Sequence, residues 1–246
     1  MLDVHPPHES AHSWKDFFIH IATICIGLLI AIGLEQTVEA LHHRHQLREL
    51  NEALQQDNEK ALRDDKDAER TYAAGVARLN ARIDDVSLAL RTNGHAHVIP
   101  ASPDYIRSLP VDPAWKAATT SGLVNIMSQR DVKAFSEVDI LIQAMTAGLD
   151  ERSAKSRRIA FEQRFCSSSS DATLDFTSAT RADLLEDLTL LSEELQRAKV
   201  IYSFTRYLRG CLEQVIGGER DLDRIDDAEN AVADGPALAP ATKPAH

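Results

Sequence analysis

Histidine is the side chain whose placement in this sequence comes nearest to chemistry. His5, His8 and His12 fall within the first sixteen residues, and His42, His43 and His45 follow soon after Glu35 and Glu39. Imidazole and carboxylate spaced i, i+3, i+4 on a helix can hold Zn²⁺ or Cu²⁺. Glu39 and His43 are four residues apart, and His42, His45 and Glu49 share a helical face. The same histidines, together with Arg44 and Arg48, also suit a headgroup layer, where partly charged imidazoles touch anionic lipid. Lipid contact is the preferred reading. A pH response and a metal site built on Glu39, His42, His43 and His45 are the alternatives.

Other chemistry-bearing residues form no constellation. His95 and His97 lie near Asp104, but two ligands without a third or fourth make no site. Ser167 to Ser170 lack both a glycine-flanked elbow and a placed histidine, so they read as a connector. There is no Walker loop, no GxGxxG and no HExxH. Trp115 reads as a core anchor. We expect no catalytic residue, no cofactor and no enzymatic activity.

The element that carries the exit histidines is defined by what precedes them. Phe17 to Leu34 reads FFIHIATICIGLLIAIGL, 18 residues with one ionisable member, His20. As a helix this spans roughly 27 Å, close to the hydrocarbon thickness of a bilayer. Trp14 and Lys15 at one edge and Arg44 beyond the other are suited to interfacial anchoring. A cleaved signal peptide would need a cationic start and a shorter apolar run, but Asp3, Glu9 and Asp16 outnumber Lys15 before the segment. A lipoprotein would need a small residue before Cys25, where Ile24 stands. A core helix of a soluble protein would keep a polar face. A retained single span fits better than any of these.

One face of that span carries Thr23, Gly27 and Ala31 at four-residue steps, with His20 a turn earlier and Glu35 a turn later. Small residues let helices approach closely, and an ionisable residue in a span usually faces protein. This face is expected to mediate self-association or pairing with another membrane protein; ordinary membrane-helix composition is the equal alternative. Orientation follows the basic residues at the span ends: Lys15 stands against Arg44 and Arg48. The count leans toward a cytoplasmic soluble part, with the opposite orientation open.

The stretch Val4 to His45, VHPPHESAHSWKDFFIHIATICIGLLIAIGLEQTVEALHHRH, resembles the opening of a group of uncharacterised bacterial single-span membrane proteins. These have a His/Pro head, an FFIHIATI-like span and a GLEQ-to-HHRH exit. Ala114 to Thr119, with Ser121, Gly122, Leu123 and Met127, resembles a second signature of that group. The resemblance implies anchorage in a bacterial inner membrane and carries over no catalytic residues.

Over the whole chain Lys+Arg total 27 and Asp+Glu 38, a net charge of −11, which argues against a nucleic-acid partner. Three cysteines are too few for a disulfide scaffold. Between Glu35 and Arg91 there is no proline and one glycine, Gly75, so one helix is expected to run to Asn93-Gly94. Residues 35–71 are expected to form a solvated stalk, because the charges are dense and Leu50, Leu54 and Leu62 keep no lasting phase. Tyr72, Val76, Leu79, Ile83, Val86 and Leu90 then share one face and open a bundle spanning 72–218.

Ser102-Pro103 and Asp112-Pro113 read as N-caps of short helices, and Ser128 with Asp131 as a capping box. A helix from there toward Phe165 buries Phe135, Val138, Ile142, Met145 and Leu149. A last helix, from about Thr180 to Ile216, buries Leu184, Leu188, Leu191, Leu195, Ala198 and Tyr202 before Gly217-Gly218. If these two form a hairpin, Cys166 and Cys211 lie roughly 45 Å apart, too far for a disulfide. Residues 219–246, acidic and rich in Pro and Ala, are expected to be disordered. The fold class is all-α: a 16-residue head, a span at 17–34, a stalk, a bundle and a tail. The expected function is non-catalytic display of the bundle for protein–protein contact, as a homo-oligomer. The alternative is a sensor-like module that relays helix shifts to a separate signalling partner.

Overall fold

A computed structural model describes residues 14–92, 97–98, 110–149, 152–165, 174–176 and 178–236. The chain is all-α. The helices are α1 (Trp14–Thr92), α2 (Pro113–Ser121), α3 (Gln129–Leu149), α4 (Arg152–Glu162), α5 (Arg181–Ile216) and α6 (Leu222–Asp234). The strands among the described residues are β1 (His97–Val98) and β2 (Leu174–Asp175), a two-residue antiparallel ladder. Two compact units divide the chain, Met1–Glu49 and Leu50–His246.

In the first unit α1 contains one stretch long and apolar enough to cross a membrane. An 18-residue window there has a mean hydropathy of 2.5, and none of it is buried. Side chains such as Ile24 and Leu29 are more than two-thirds exposed.

In the second unit α1 changes character at Leu50. Leu50, Leu54, Asn58, Ala61, Asp65, Ala68, Tyr72, Gly75, Leu79, Arg82, Val86 and Ala89 are all buried. Their spacing alternates three and four residues after an initial four, the repeat of a helix with one continuous inward face. The solvated stalk expected over 35–71 is therefore corrected from Leu50 onward. The apolar phase looked broken only because Asn58 and Asp65 occupy inward positions, and so the bundle unit opens at Leu50 rather than at residue 72.

α5 is built the same way. Leu184, Asp187, Leu191, Glu194, Ala198, Ile201, Thr205, Leu208, Leu212 and Val215 lie inward at steps of three and four. Thr180 and Asp183 start it with a full capping box, and Gly217 closes it. α5 packs on α3, α4 and α6. From α3 come Phe135, Val138, Ile142 and Met145; the side chain of Leu149 lies outside the described residues. Ser128 caps α3, its Oγ accepting from the Asp131 amide at 3.1 Å while its hydroxyl donates to Asp131 at 2.7 Å.

Two further expectations are corrected. The single helix toward Phe165 is two, α3 and α4, with a short 3₁₀ turn at Gln163–Phe165. Within the expected disordered tail, 222–234 is helical. Asp221 caps α6 by accepting from the Asp223 amide at 3.1 Å, and Ile225 and Glu229 are buried. An inward isoleucine and glutamate one turn apart give this acidic segment a docking face that average composition conceals. Gly210 on α5 makes that docking close: a Cβ there would stand 2.7 Å from the Glu229 Cα.

α2 begins at Pro113, with Asp112 in the cap position as expected. The Asp112 side chain does not cap it. Asp57 of α1 does, its Oδ2 accepting from the Ala114 amide at 2.8 Å. Gly122 ends α2 with φ +79°, a left-handed conformation that glycine adopts without strain. The helix expected at Ser102-Pro103 lies outside the described residues.

Candidate functional site

On the apolar helix, Trp14 is 75% exposed and meets Phe17 edge to face and Phe18 at a tilt, at ring separations of 6.0 and 5.8 Å. These three rings, with Lys15, form an aromatic and basic collar at the start of the apolar stretch. Such side chains prefer a boundary that is apolar on one side and wet on the other. His20, Thr23, Gly27 and Ala31 are exposed, and nothing stands within 4 Å of a Cβ added at Gly27. The Thr23 hydroxyl donates to the Ile19 carbonyl at 2.8 Å, so its polar group is satisfied within the helix.

Past the stretch, Glu39, His42, Arg44 and His45 are exposed and His43 is half-buried. His45 Nε2 lies 3.2 Å from Glu49 Oε1, one turn on. Among the described residues no three His, Cys, Asp or Glu side chains gather as metal ligands. His5, His8, His12, His95, Asp104, Cys166 and Ser167 to Ser170 lie outside the described residues, as does the side chain of His97. Cys25 is exposed, and Cys211 is buried.

The bundle unit holds charged residues that sequence reading missed. Arg82 of α1 pairs with Asp187 of α5 at 3.1 Å and lies 4.0 Å from Glu162 of α4. Arg158 of α4 bonds Glu162 at 2.6 Å and also bonds Glu194 of α5. All five side chains are at most 9% exposed. Phe176 lies under the Arg82 guanidinium at 5.1 Å. Burial pushes the Asp187 and Glu162 carboxyls up, against the pull of the arginines. Burial lowers Arg158, but the carboxylates of Glu162 and Glu194 outweigh it and hold the guanidinium above its ordinary value. Arginine's planar fork suits this bidentate role. The cluster ties α1, α4 and α5 to one another and fixes which residues face each other.

A second polar layer surrounds Glu69, fully buried on α1. Arg209 bonds it at 2.7 Å, and Arg206 lies 4.0 Å away. Asp65, one turn before, is also fully buried, and neither carboxyl oxygen has a hydrogen-bond partner. Burial, then the Glu69 charge, hold Asp65 well above the carboxylate range. Asp112 is 2% exposed with both oxygens likewise unpartnered; burial and nearby Asp139 raise its pKa to about 6. The one sequence signal for these residues is positional: Asp65, Arg82, Asp187 and Glu194 occupy steps of the three-four repeat where apolar residues are the rule.

Between α4 and α5 lies an open groove of about 560 Å³, lined by Arg157, Phe161, Arg164, Glu186, Leu190 and Glu193. Its charges pair across it, Arg157 with Glu193 at 3.0 Å and Arg164 with Glu186 at 3.2 Å. Both pairs are solvent-exposed.

Taken together, an exposed apolar helix leading into an ion-paired bundle defines an all-α protein with one candidate membrane span. No protein-family model, curated protein or solved structure matches the chain.

Proposed function

We propose that this chain is a non-catalytic, single-pass protein of a bacterial inner membrane that presents a helical bundle for protein–protein contact. The observation that carries the reading is the contrast along α1. Its 18-residue apolar window buries nothing, while from Leu50 onward the same helix buries an inward face. Leaving that much apolar surface in water is costly, at about 25 cal/mol per Å². A bilayer removes the cost. Trp14 and Lys15 sit in one headgroup layer, and His42, His43, Arg44 and His45 in the other, against anionic lipid. The basic count at the two ends favours a cytoplasmic bundle.

The span pairs with a second copy, or with another membrane protein, through His20, Thr23, Gly27 and Ala31. The open Gly27 position supports this. A second reading, a sensor-like relay, is favoured by one observation: α1 supplies both the apolar stretch and an inward face of the bundle. Co-purification of the full chain in mild detergent separates the two. A homo-oligomer without other stoichiometric chains supports display and contact; a stable partner bearing a kinase, cyclase or transporter domain supports the relay.

A further inference from the structure

The junction of α6 with α5 and α3 contains a buried carboxyl that no cation balances among the described residues. Glu229 of α6 is 7% exposed, and its Oε1 has no hydrogen-bond partner. The groups facing it are the Cys211 thiol of α5, which is a hydrogen-bond partner of its carboxyl, Glu137 of α3 and Asp226 of α6 itself. Two of these are acids, and burial pushes the thiol up, so it stays neutral. Burial, then the Asp226 charge, also raise Glu137.

The arginines at this end are committed elsewhere. Arg206 donates to the carbonyls of Val232 and Gly235, at the far end of α6. Arg220 bonds Asp131, Val215 and Glu219. Glu229 is also fixed in place along the chain. Its backbone packs closely on α5 at Gly210, where an added Cβ would stand 2.7 Å from the Glu229 Cα.

From this arrangement we infer that α6 is a releasable helix whose docking on α5 is switched by the proton on Glu229: docked while the carboxyl is neutral, released when it ionises. Release uncovers Gly210 and Cys211 and frees Arg206 from the end of α6.

The direction follows from linkage. Burial, with the charges of Glu137 and Asp226, raises Glu229 from 4.5 to about 7 in the docked state. A group with a raised folded value contributes docking strength that is complete below its free value and is lost as pH rises through the folded one. Between pH 5.5 and 8.5 those two values correspond to about a thirtyfold fall in the docking equilibrium. This inference stands apart from the membrane reading.

The test is hydrogen exchange, read by mass spectrometry as protection factors corrected for intrinsic rates, on the full chain in detergent at pH 5.5 and 8.5. Protection over 222–234 is expected to fall about thirtyfold in the wild type and to stay level in Glu229→Gln, which keeps the neutral form. In Glu137→Gln, which removes a neighbouring negative charge, the fall is expected to be smaller. Equal falls in wild type and Glu229→Gln overturn the inference, as does level protection in the wild type. A parallel loss over 181–200 also overturns it, since that signals opening of the whole bundle.

Discussion

Arg82 of α1 donates to Asp187 of α5 across 3.1 Å, and neither side chain is more than 1% exposed. The two residues are 105 positions apart in sequence, so the bond joins the first and last long helices of the bundle. Taking two charges out of water costs several kcal/mol each, offset only when each partner stays. Asp187→Ala is therefore expected to destabilise the bundle by about 3–5 kcal/mol, because it removes the hydrogen-bonded carboxylate of a buried guanidinium. The double change Arg82→Met with Asp187→Leu recovers most of that loss. Urea unfolding of the full chain in detergent, followed by circular dichroism, checks both values.

The start of α2 depends on a residue far from it. Asp57→Ala removes the acceptor of the Ala114 amide and is expected to cost about 1 kcal/mol. Asp112→Ala removes no cap. The two unfolding midpoints measured at one pH order the variants, with Asp57→Ala the lower at pH 8.

Asp112 gives a pH dependence of definite sign. Its folded value is raised from 3.8 to about 6, so its contribution is complete below pH 3.8 and is lost as pH rises through 6. Asp112→Asn keeps the neutral form at every pH. Its unfolding midpoint is expected to exceed that of the wild type at pH 8 and to match it near pH 3.5.

Two glycines on helices behave oppositely. A Cβ at Gly210 meets α6 backbone at 2.7 Å, whereas one at Gly27 meets nothing within 4 Å. Gly210→Ala is expected to cost about 1–3 kcal/mol by forcing the helices apart, and Gly27→Ala to leave bundle stability unchanged. The larger changes Gly27→Leu and Ala31→Leu are expected to weaken span association in a membrane two-hybrid assay.

The residues that could be read from sequence are those whose local pattern agrees with their tertiary place. Leu79, Val86, Leu184 and Leu191 keep an apolar helical phase, and all are buried. Pro113 and Gly122 bracket α2 by backbone chemistry alone. What escaped reading depends on partners distant in sequence. Asp65 and Arg82 look like solvent-facing charges until α5 is placed beside them. Asp57 looks like one more acid on a charged helix until the Ala114 amide arrives. α6 looks disordered because its large apolar residues, Leu222, Ile225 and Val232, are scattered among acids, and only the Gly210 approach reveals its seat. The apolar stretch at Phe17–Leu34 was legible because an 18-residue signal needs no partner to define it.

Retention of that stretch in lipid is the central claim of the proposed function, and alkaline carbonate extraction of membranes from expressing cells, with intact-mass measurement, tests it most directly. The account predicts that the polypeptide stays with the membrane pellet at the mass of the uncleaved chain. Recovery of the intact chain in the carbonate supernatant, or a mature end near Leu34, contradicts it.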